Sequence, residues 1–425
     1  MKIMRLFLMG MMLTLIYATT ISRAQAEPVP LKMWTFLPIT GNDPRTVALK
    51  QVVEGFNQSQ TQYRVSVESI SYSRIDSNVI QATAAGEGPD ILNVYSDQLA
   101  MHVAAKTIIP LDHYIAKLSP AERDGFVMPL KLFSYGGHIM AVPWETRVWL
   151  LWYRKDLLQQ AGLMPPATLP EMAEDARKLA NGQVMGFAMG ASSGQLGAGV
   201  SEMFTPLIWG AGGEVIDSQG KAIFNSPAGV RVLKFLDQMI KDNAMRSSVV
   251  TMTADDLLSS VQAGKTAMTI NGSYRVSSAR AAAAAGDRLA TAPIPGWEKD
   301  KPTPARIAGQ TLTIGANSKH KDGAWAFIQY YTNNTSQLAF ARAGVLPSRS
   351  IIYQDTFFSQ DPVGREMKGW ADYAHAYGRI ANLPADYGKL TQLLATAFQQ
   401  VFLQNADPKQ ALDRAAAAYN AQHKR

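Results

Sequence analysis

The chain has 425 residues, 47% hydrophobic and 18% charged, which excludes disorder, collagen and coiled coil and leaves room for two or three domains with a cleft between them. Its formal charge is +7, from 41 Lys and Arg against 34 Asp and Glu; without Lys2, Arg5 and Arg23 of a removable leader it is 38 minus 34, or +4, and with no basic run no nucleic-acid partner is expected. Cysteine is absent, so disulfides, zinc–thiolate sites and thiol nucleophiles are excluded.

Residues 1–26 read as a signal peptide. Lys2 and Arg5 form the positive region, Leu6 to Ala18 the apolar stretch, and Ala24-Gln25-Ala26 the small-x-small cleavage site, so the mature chain is expected to begin at Glu27. The apolar run is shorter than the ~20 residues of a membrane helix and ends in Thr19, Thr20 and Ser22. With no cysteine to lipidate, the expected product is soluble outside the cytoplasmic membrane, in a bacterial periplasm.

Beyond the leader, strand patterns alternate with capped helices. Leu31 to Phe36 is a short apolar run. Asp43-Pro44 then opens a helix with Ala48, Leu49, Val52, Val53 and Phe56 on one face. Tyr63, Val65 and Val67 alternate as a half-buried strand, and Asp90 to Tyr95 form a second strand. Ile139 to Pro143 predicts another. Thr168 and Glu171 have capping-box spacing before Met172 to Leu179. Ser226-Pro227 opens a helix striped by Val230, Leu233, Leu236 and Ile240; the Ala281 to Ala285 run predicts a helix stopping at Gly286, and Asp407-Pro408 caps the last helix. This alternation predicts an α/β fold with largely parallel sheets and ligand beyond the carboxyl ends of the strands. No repeat of solenoid or propeller period is present.

Catalytic signatures are incomplete. Gly264-Lys265-Thr266 resembles the end of a P-loop, but Ser259 stands where its first glycine belongs. Gly194, Gly197 and Gly199 have the dinucleotide spacing reversed and read as a flexible loop. The histidines at 102, 113, 138, 320, 375 and 423 lack metal-ligand spacing, and there is no G-x-S-x-G elbow, so neither metal nor cofactor is expected. Tyr330-Tyr331 and Tyr373/Tyr377 fit helix stripes better than iron ligands. A secreted carbohydrate-active enzyme with two distant carboxylates remains a competitor, because such a pair needs no local motif.

Aromatic and polar residues gather at the predicted strand ends: Trp34, Ser96-Asp97 and Trp144-Glu145-Thr146-Arg147. Aromatic faces suit the C–H faces of a sugar, and carboxylate, guanidinium and amide groups suit its hydroxyls. Each has a plainer role as well. Asp97 serves equally as the N-cap of a helix through Leu99 and Val103. Trp34 and Trp209 fit either cleft wall or core, Trp149 and Trp152 are assigned to the core, and Trp144 is either a stacking platform or a tryptophan packed under the hinge.

In their order and spacing, several stretches resemble the family 1 extracellular solute-binding proteins of ABC importers, the group containing the maltose-binding protein. They are Gly88-Pro89-Asp90-Ile91, Ala141-Val142-Pro143 running into Trp152-Tyr153-Arg154-Lys155-Asp156-Leu157-Leu158, Ala161-Gly162-Leu163, Gly264 to Ser273, Ala324 to Ile328 and Val345-Leu346-Pro347-Ser348-Arg349. The resemblance spans essentially the whole mature chain. It implies a type II-like periplasmic binding protein fold: two α/β lobes closing over a ligand cleft, joined by three crossings near residues 145, 293 and 347. The implied N-lobe is 27–145 plus 293–346, and the implied C-lobe 146–292 plus 347–425. It makes Gly264-Lys265 a turn before a strand. Its implied cleft lining is Asp97, Trp144, Glu145, Trp209, Asn271, Gly272, Ser273, Gly309, Gln310 and Arg349, with Trp209 and Tyr274 as stacking faces and the two glycines admitting ligand to backbone donors. The chain departs from the family where Trp144-Glu145 follows the proline. The expected function is non-catalytic capture of a sugar or oligosaccharide, by a monomer, for a membrane permease. The alternative is a charged solute such as a phosphorylated polyol or sugar acid, clamped by Arg147 and Arg349.

Overall fold

A computed structural model describes residues 27–193, 198–381 and 383–422; the leader with its Ala24-Gln25-Ala26 site, Gly194, Gly197 and His423 lie outside the described residues. The β-α-β-α-β opening is present as β1 (Val29–Thr35), helix Pro44–Ser59, β2 (Tyr63–Ser69), helix Ile75–Ala84 and β3 (Ile91–Tyr95). Asp43 accepts a hydrogen bond from the Arg45 N–H at 2.9 Å, and Ala48, Leu49, Val52 and Phe56 are buried beneath the helix it caps. Further along lie the β4 (Ser134–Tyr135) and β5 (His138–Ile139) hairpin, β6 (Val142–Arg154), β7 (Met185–Ala188), β8 (Thr266–Gly272), β9 (Leu289–Ala292), β10 (Ala305–Ile314) and β11 (Gly378–Ile380). Among the described residues, nine strands form one sheet with main order β2-β1-β3-β10-β6-β8-β7, β9 pairing with β6 and β11 with β10. The β1–β2, β1–β3 and β7–β8 pairs are parallel, whereas β10 runs antiparallel to both β3 and β6.

Local capping signals place several of the helices. Thr168 caps Leu169–Leu179 by accepting from the Glu171 N–H at 3.2 Å; the Glu171 carboxylate turns to the Ala167 N–H at 2.8 Å instead of completing the box. Ser226 caps Pro227–Lys241, and Asp407 accepts from the Gln410 N–H ahead of Pro408–Gln422. Gly264, at φ +70°, makes the turn into β8. No helix among the described residues is long and apolar enough to cross a membrane.

Three local expectations are corrected. The Ala281–Ala285 run is not a helix: helix Val276–Arg280 ends before it, because Ala281, Ala283 and Ala284 are exposed and give the run no face to bury. Gly199 sits in helix Ala198–Gly210, not a loop; a Cβ there would meet the Gly190 carbonyl oxygen at 2.6 Å, so the glycine lets helix and chain approach closely. The strand predicted to stop at Pro143 continues to Arg154 as β6, buried on both faces and so without a polar–apolar alternation to mark it.

That long strand ties together the two halves of the sheet. Its first part, Val142–Val148, pairs with β10, and its second, Trp149–Arg154, with β8 and β9. The register breaks once: Gln310 lies opposite Glu145 and Thr311 opposite Pro143, so Trp144 is the extra residue of a β-bulge. The bulge turns Trp144 into the core beside Tyr331 and Phe340, with ring centroids 5.2 and 4.9 Å away, and Gln337 Nε2 donates to its carbonyl at 3.0 Å. Trp144 is 0% exposed, which corrects its reading as a stacking platform. Trp144→Ala is therefore expected to cost about 3–5 kcal/mol of folding stability, read by chemical denaturation, with little change in solute affinity.

Candidate functional site

The carboxyl ends of β2 and β3 and the middles of β6 and β10 converge on one cluster of aromatic and charged side chains. Antiparallel register puts Tyr95, Gln310 and Glu145 abreast, with Ala308 opposite Arg147. Glu145 is the hub. Arg147 grips it with two bonds, Nε to Oε1 at 2.9 Å and Nη2 to Oε2 at 3.1 Å, and Arg45 Nη2 adds a third contact at 3.3 Å. Burial pushes the Glu145 carboxyl up, but the two guanidinium charges outweigh it and hold the group below its ordinary value. The Arg147 guanidinium lies over the rings of Tyr274 and Tyr95, 4.1 and 5.2 Å from their centroids.

A second buried pair joins Asp97 to Arg306. Asp97 is thus neither helix cap nor free ligand group: its carboxylate faces Arg306, whose guanidinium stacks 4.2 Å over Trp149. Trp149 is buried, as expected, although its face serves this pair. Tyr72, just beyond β2, is 49% exposed and meets the rings of Phe36 and Tyr95 edge-on at 5.8 and 6.3 Å. Arg275 donates to the Tyr274 hydroxyl and pairs with Asp255. From helix Ala198–Gly210, Ser201 shares a hydrogen bond with the Tyr387 hydroxyl, and the adjacent Glu202 feels the charges of Arg306, Asp97, Arg147 and Arg275. Burial lifts the Glu202 carboxyl above its ordinary value; Arg306 opposes the lift and Asp97 adds to it.

The expected site residues divide. Asp97, Glu145, Arg147, Tyr274 and Gln310 come together here. Gln310 Oε1 accepts from Asn93 Nδ2 at 2.5 Å, and its Nε2 has no partner among the described residues. Asn271 and Ser273, at the end of β8, are held by backbone: Asn271 Oδ1 accepts from Gly272 N–H and Ser273 Oγ from Val148 N–H. The glycines have a different reason from the expected one. A Cβ on Gly309 would meet the Glu145 carbonyl oxygen at 1.9 Å, and one on Gly272 the Tyr274 ring at 2.5 Å, so they admit a strand and a ring. Trp34 packs in the core with Ile70, Ile75, Val79 and Leu92. Trp209 spends its N–H on Glu214 at 2.8 Å and its face on Arg379, 4.6 Å above. Arg349 lies over Phe126 and donates to the Glu122 carbonyl oxygen. No clamp of Arg147 with Arg349 is assembled, because Arg147 is engaged by Glu145. Tyr72, Tyr95, Glu202, Arg275, Arg306 and Tyr387 were missed by the sequence reading. Tyr72, just after a strand, and Tyr95, at the end of one, carried a signal in their position. Among the described residues no group of three or more His, Cys, Asp or Glu is placed to hold a metal ion.

Comparison with known proteins agrees in size and fold. A family model described as bacterial extracellular solute-binding protein matches residues 42–338. The sn-glycerol-3-phosphate-binding periplasmic protein UgpB of Yersinia enterocolitica is 26% identical over 398 residues, 87% of this chain and 87% of that protein. Among solved structures, maltose-bound MalE3 of Thermotoga maritima superposes with TM-score 0.76 at 24% identity, covering 93% of this chain and 100% of that one. The GacH receptor of Streptomyces glaucescens superposes with TM-score 0.77 at 20% identity, covering 93% and 98%.

The hub has a pH signature. The folded Glu145 carboxyl titrates below its unfolded value, so its contribution to stability is complete above the ordinary carboxylate range and is lost as pH falls through the folded value. Glu145→Gln, which leaves Arg147 buried and uncompensated, is expected to cost about 3–5 kcal/mol at neutral pH. Denaturation curves at neutral and acidic pH are expected to show that loss shrinking in acid.

Proposed function

The chain belongs to the bacterial extracellular solute-binding protein family, which serves ABC transporters by binding and not by catalysis, and we propose that it captures a sugar or oligosaccharide for delivery to a membrane permease. The observation that carries this reading is the exposed ring of Tyr72, edge-on to Tyr95, beside a belt of preorganised charged and amide groups at the strand ends. Rings cover the apolar faces of a sugar while fixed acceptors and donors take its hydroxyls. The sugar-bound fold neighbours accord with this.

The chain acts as a monomer in the periplasm, cleaved after Ala26, with lobes of 27–145 plus 293–346 and 146–292 plus 347–425. The bridge between Glu145 and Pro347 and the Thr146 N–H donating to Leu346 at 2.8 Å support a hinge there, since they set two crossings side by side. Solute touching both lobes favours the closed form.

Two measurements test this. Calorimetric titration of the wild-type chain against neutral sugars should find a binder whose affinity falls in Tyr72→Ala by about 1–3 kcal/mol, by analogy with stacking of bases on aromatics, while the melting temperature stays unchanged. Failure of every sugar would overturn the reading. Mass spectrometry of the periplasmic fraction should give a chain starting at Glu27, against which a full-length chain in membranes would count.

A further inference from the structure

A relay of side-chain hydrogen bonds runs from β1 through β3 to β10 and ends on a donor that nothing takes. The Leu37 N–H donates to Thr35 Oγ1 at 3.2 Å, and the Thr35 hydroxyl donates to Asn93 Oδ1 at 3.2 Å. Asn93 Nδ2 donates to Gln310 Oε1 at 2.5 Å and, more distantly, to the Thr311 carbonyl at 3.5 Å. Thr35, Asn93 and Gln310 are 0%, 2% and 1% exposed. At the far end Gln310 Nε2 is buried and has no hydrogen-bond partner among the described residues.

Backbone groups set the direction of this relay. A peptide N–H can only donate, so Leu37 turns the Thr35 hydroxyl hydrogen towards Asn93; a carbonyl can only accept, so Thr311 takes the nitrogen of the Asn93 amide. With its oxygen given to Asn93, the planar Gln310 amide turns its nitrogen away from Asn93. Glu145, abreast of Gln310 on β6, does not take that nitrogen, since Arg147 and Arg45 hold both of its carboxylate oxygens. Arg45 Nε and Arg306 Nε in the same cluster are also buried without a partner among the described residues, so these open groups are all donors.

We infer that Thr35 and Asn93 are positioning residues of the solute site, and that they hold Gln310 so that its Nε2 donates to an acceptor oxygen of the solute. The inference rests on the reading of this cluster as the solute site and names the group recognised there. A solute oxygen at that point satisfies the open donor, whereas a solute carrying only a methylene there leaves it buried and unpaired, which makes Gln310 specificity-determining. The relay fixes the amide beforehand, so little side-chain freedom is lost when solute arrives. Thr35 acts through Asn93 and Gln310, without touching the solute itself.

Calorimetric titration of the mature chain with maltose, with mannobiose and with their singly deoxygenated analogues tests this, each variant being checked by thermal melting. Thr35→Val, which keeps the shape and drops the hydroxyl, and Gln310→Met, which keeps the length and drops the amide, should each weaken sugar binding by about fivefold or more. Thr35→Ser, which restores the hydroxyl, should recover the affinity. The deoxygenated analogue that costs the wild type most should cost Gln310→Met little, because donor and acceptor form one pair. Full affinity in Thr35→Val, or the same deoxygenation losses in the wild type and Gln310→Met, overturns the inference. If neither sugar binds the wild type, the sugar reading falls and the relay is judged on the solute-free, ¹⁵N-labelled chain. There the Gln310 side-chain amide resonances, assigned by their absence in Gln310→Met, should shift in Thr35→Val and return in Thr35→Ser; resonances unmoved by Thr35→Val overturn the relay.

Discussion

One strand sets the terms for the rest of the molecule. β6 pairs with β10 along its first half and with β8 and β9 along its second, so both halves of the sheet depend on a single register. Side chains on a strand alternate faces, and a slip of one residue would send Glu145 and Arg147 to the opposite side. The bulge at Trp144 absorbs one residue. Beyond it, Glu145 and Arg147 share a face with Gln310 and Tyr95, while Trp144 fills the core behind. The backbone is pinned there: Gln337 holds the Trp144 carbonyl, Ser348 Oγ donates to the Pro143 carbonyl at 2.7 Å, and Gly309 lets β10 approach without a clash.

Putting charge on that strand is costly, and the structure answers the cost with pairing. Burial of Glu145, Arg147, Asp97 and Arg306 removes them from water, and a low-dielectric interior tolerates this only when each partner is present in good geometry. The aromatic rings under Arg147 and Arg306 supply a further surface on which a weakly hydrated guanidinium rests. A belt fixed in this way loses little freedom when solute arrives, which is the condition under which many modest polar contacts add up to useful affinity.

The local code was legible where its physics is local. Caps at Asp43, Thr168, Ser226 and Asp407 act over three or four residues, and the helices they open stand where the sequence predicts them. The Ala281–Ala285 run shows the limit: high helix propensity without a buried face does not make a helix. The strand-end rule brought Asp97 to the cluster and, applied to the end of β2, would have brought Tyr72. Arg306 lies inside β10 and Glu202 inside a helix, so no rule of position marks either.

By itself, then, the sequence determined the α/β class, the alternation of elements and, through ordered stretches from Gly88 to Arg349, a family that the match over residues 42–338 bears out. These follow from periodicity, capping and the spacing of motifs, all written along the chain. Only the tertiary structure decided what each candidate does. Trp144 and Trp34 were drawn into the core, Arg349 went to Phe126 and Glu122, Asp97 became half of an ion pair with a residue 209 positions away, and Gly309 and Gly272 proved to be spaces for a strand and a ring. A side chain's role depends on which face it points to and what charge lies opposite. Those are set by strand register and long-range pairing, which no local pattern encodes.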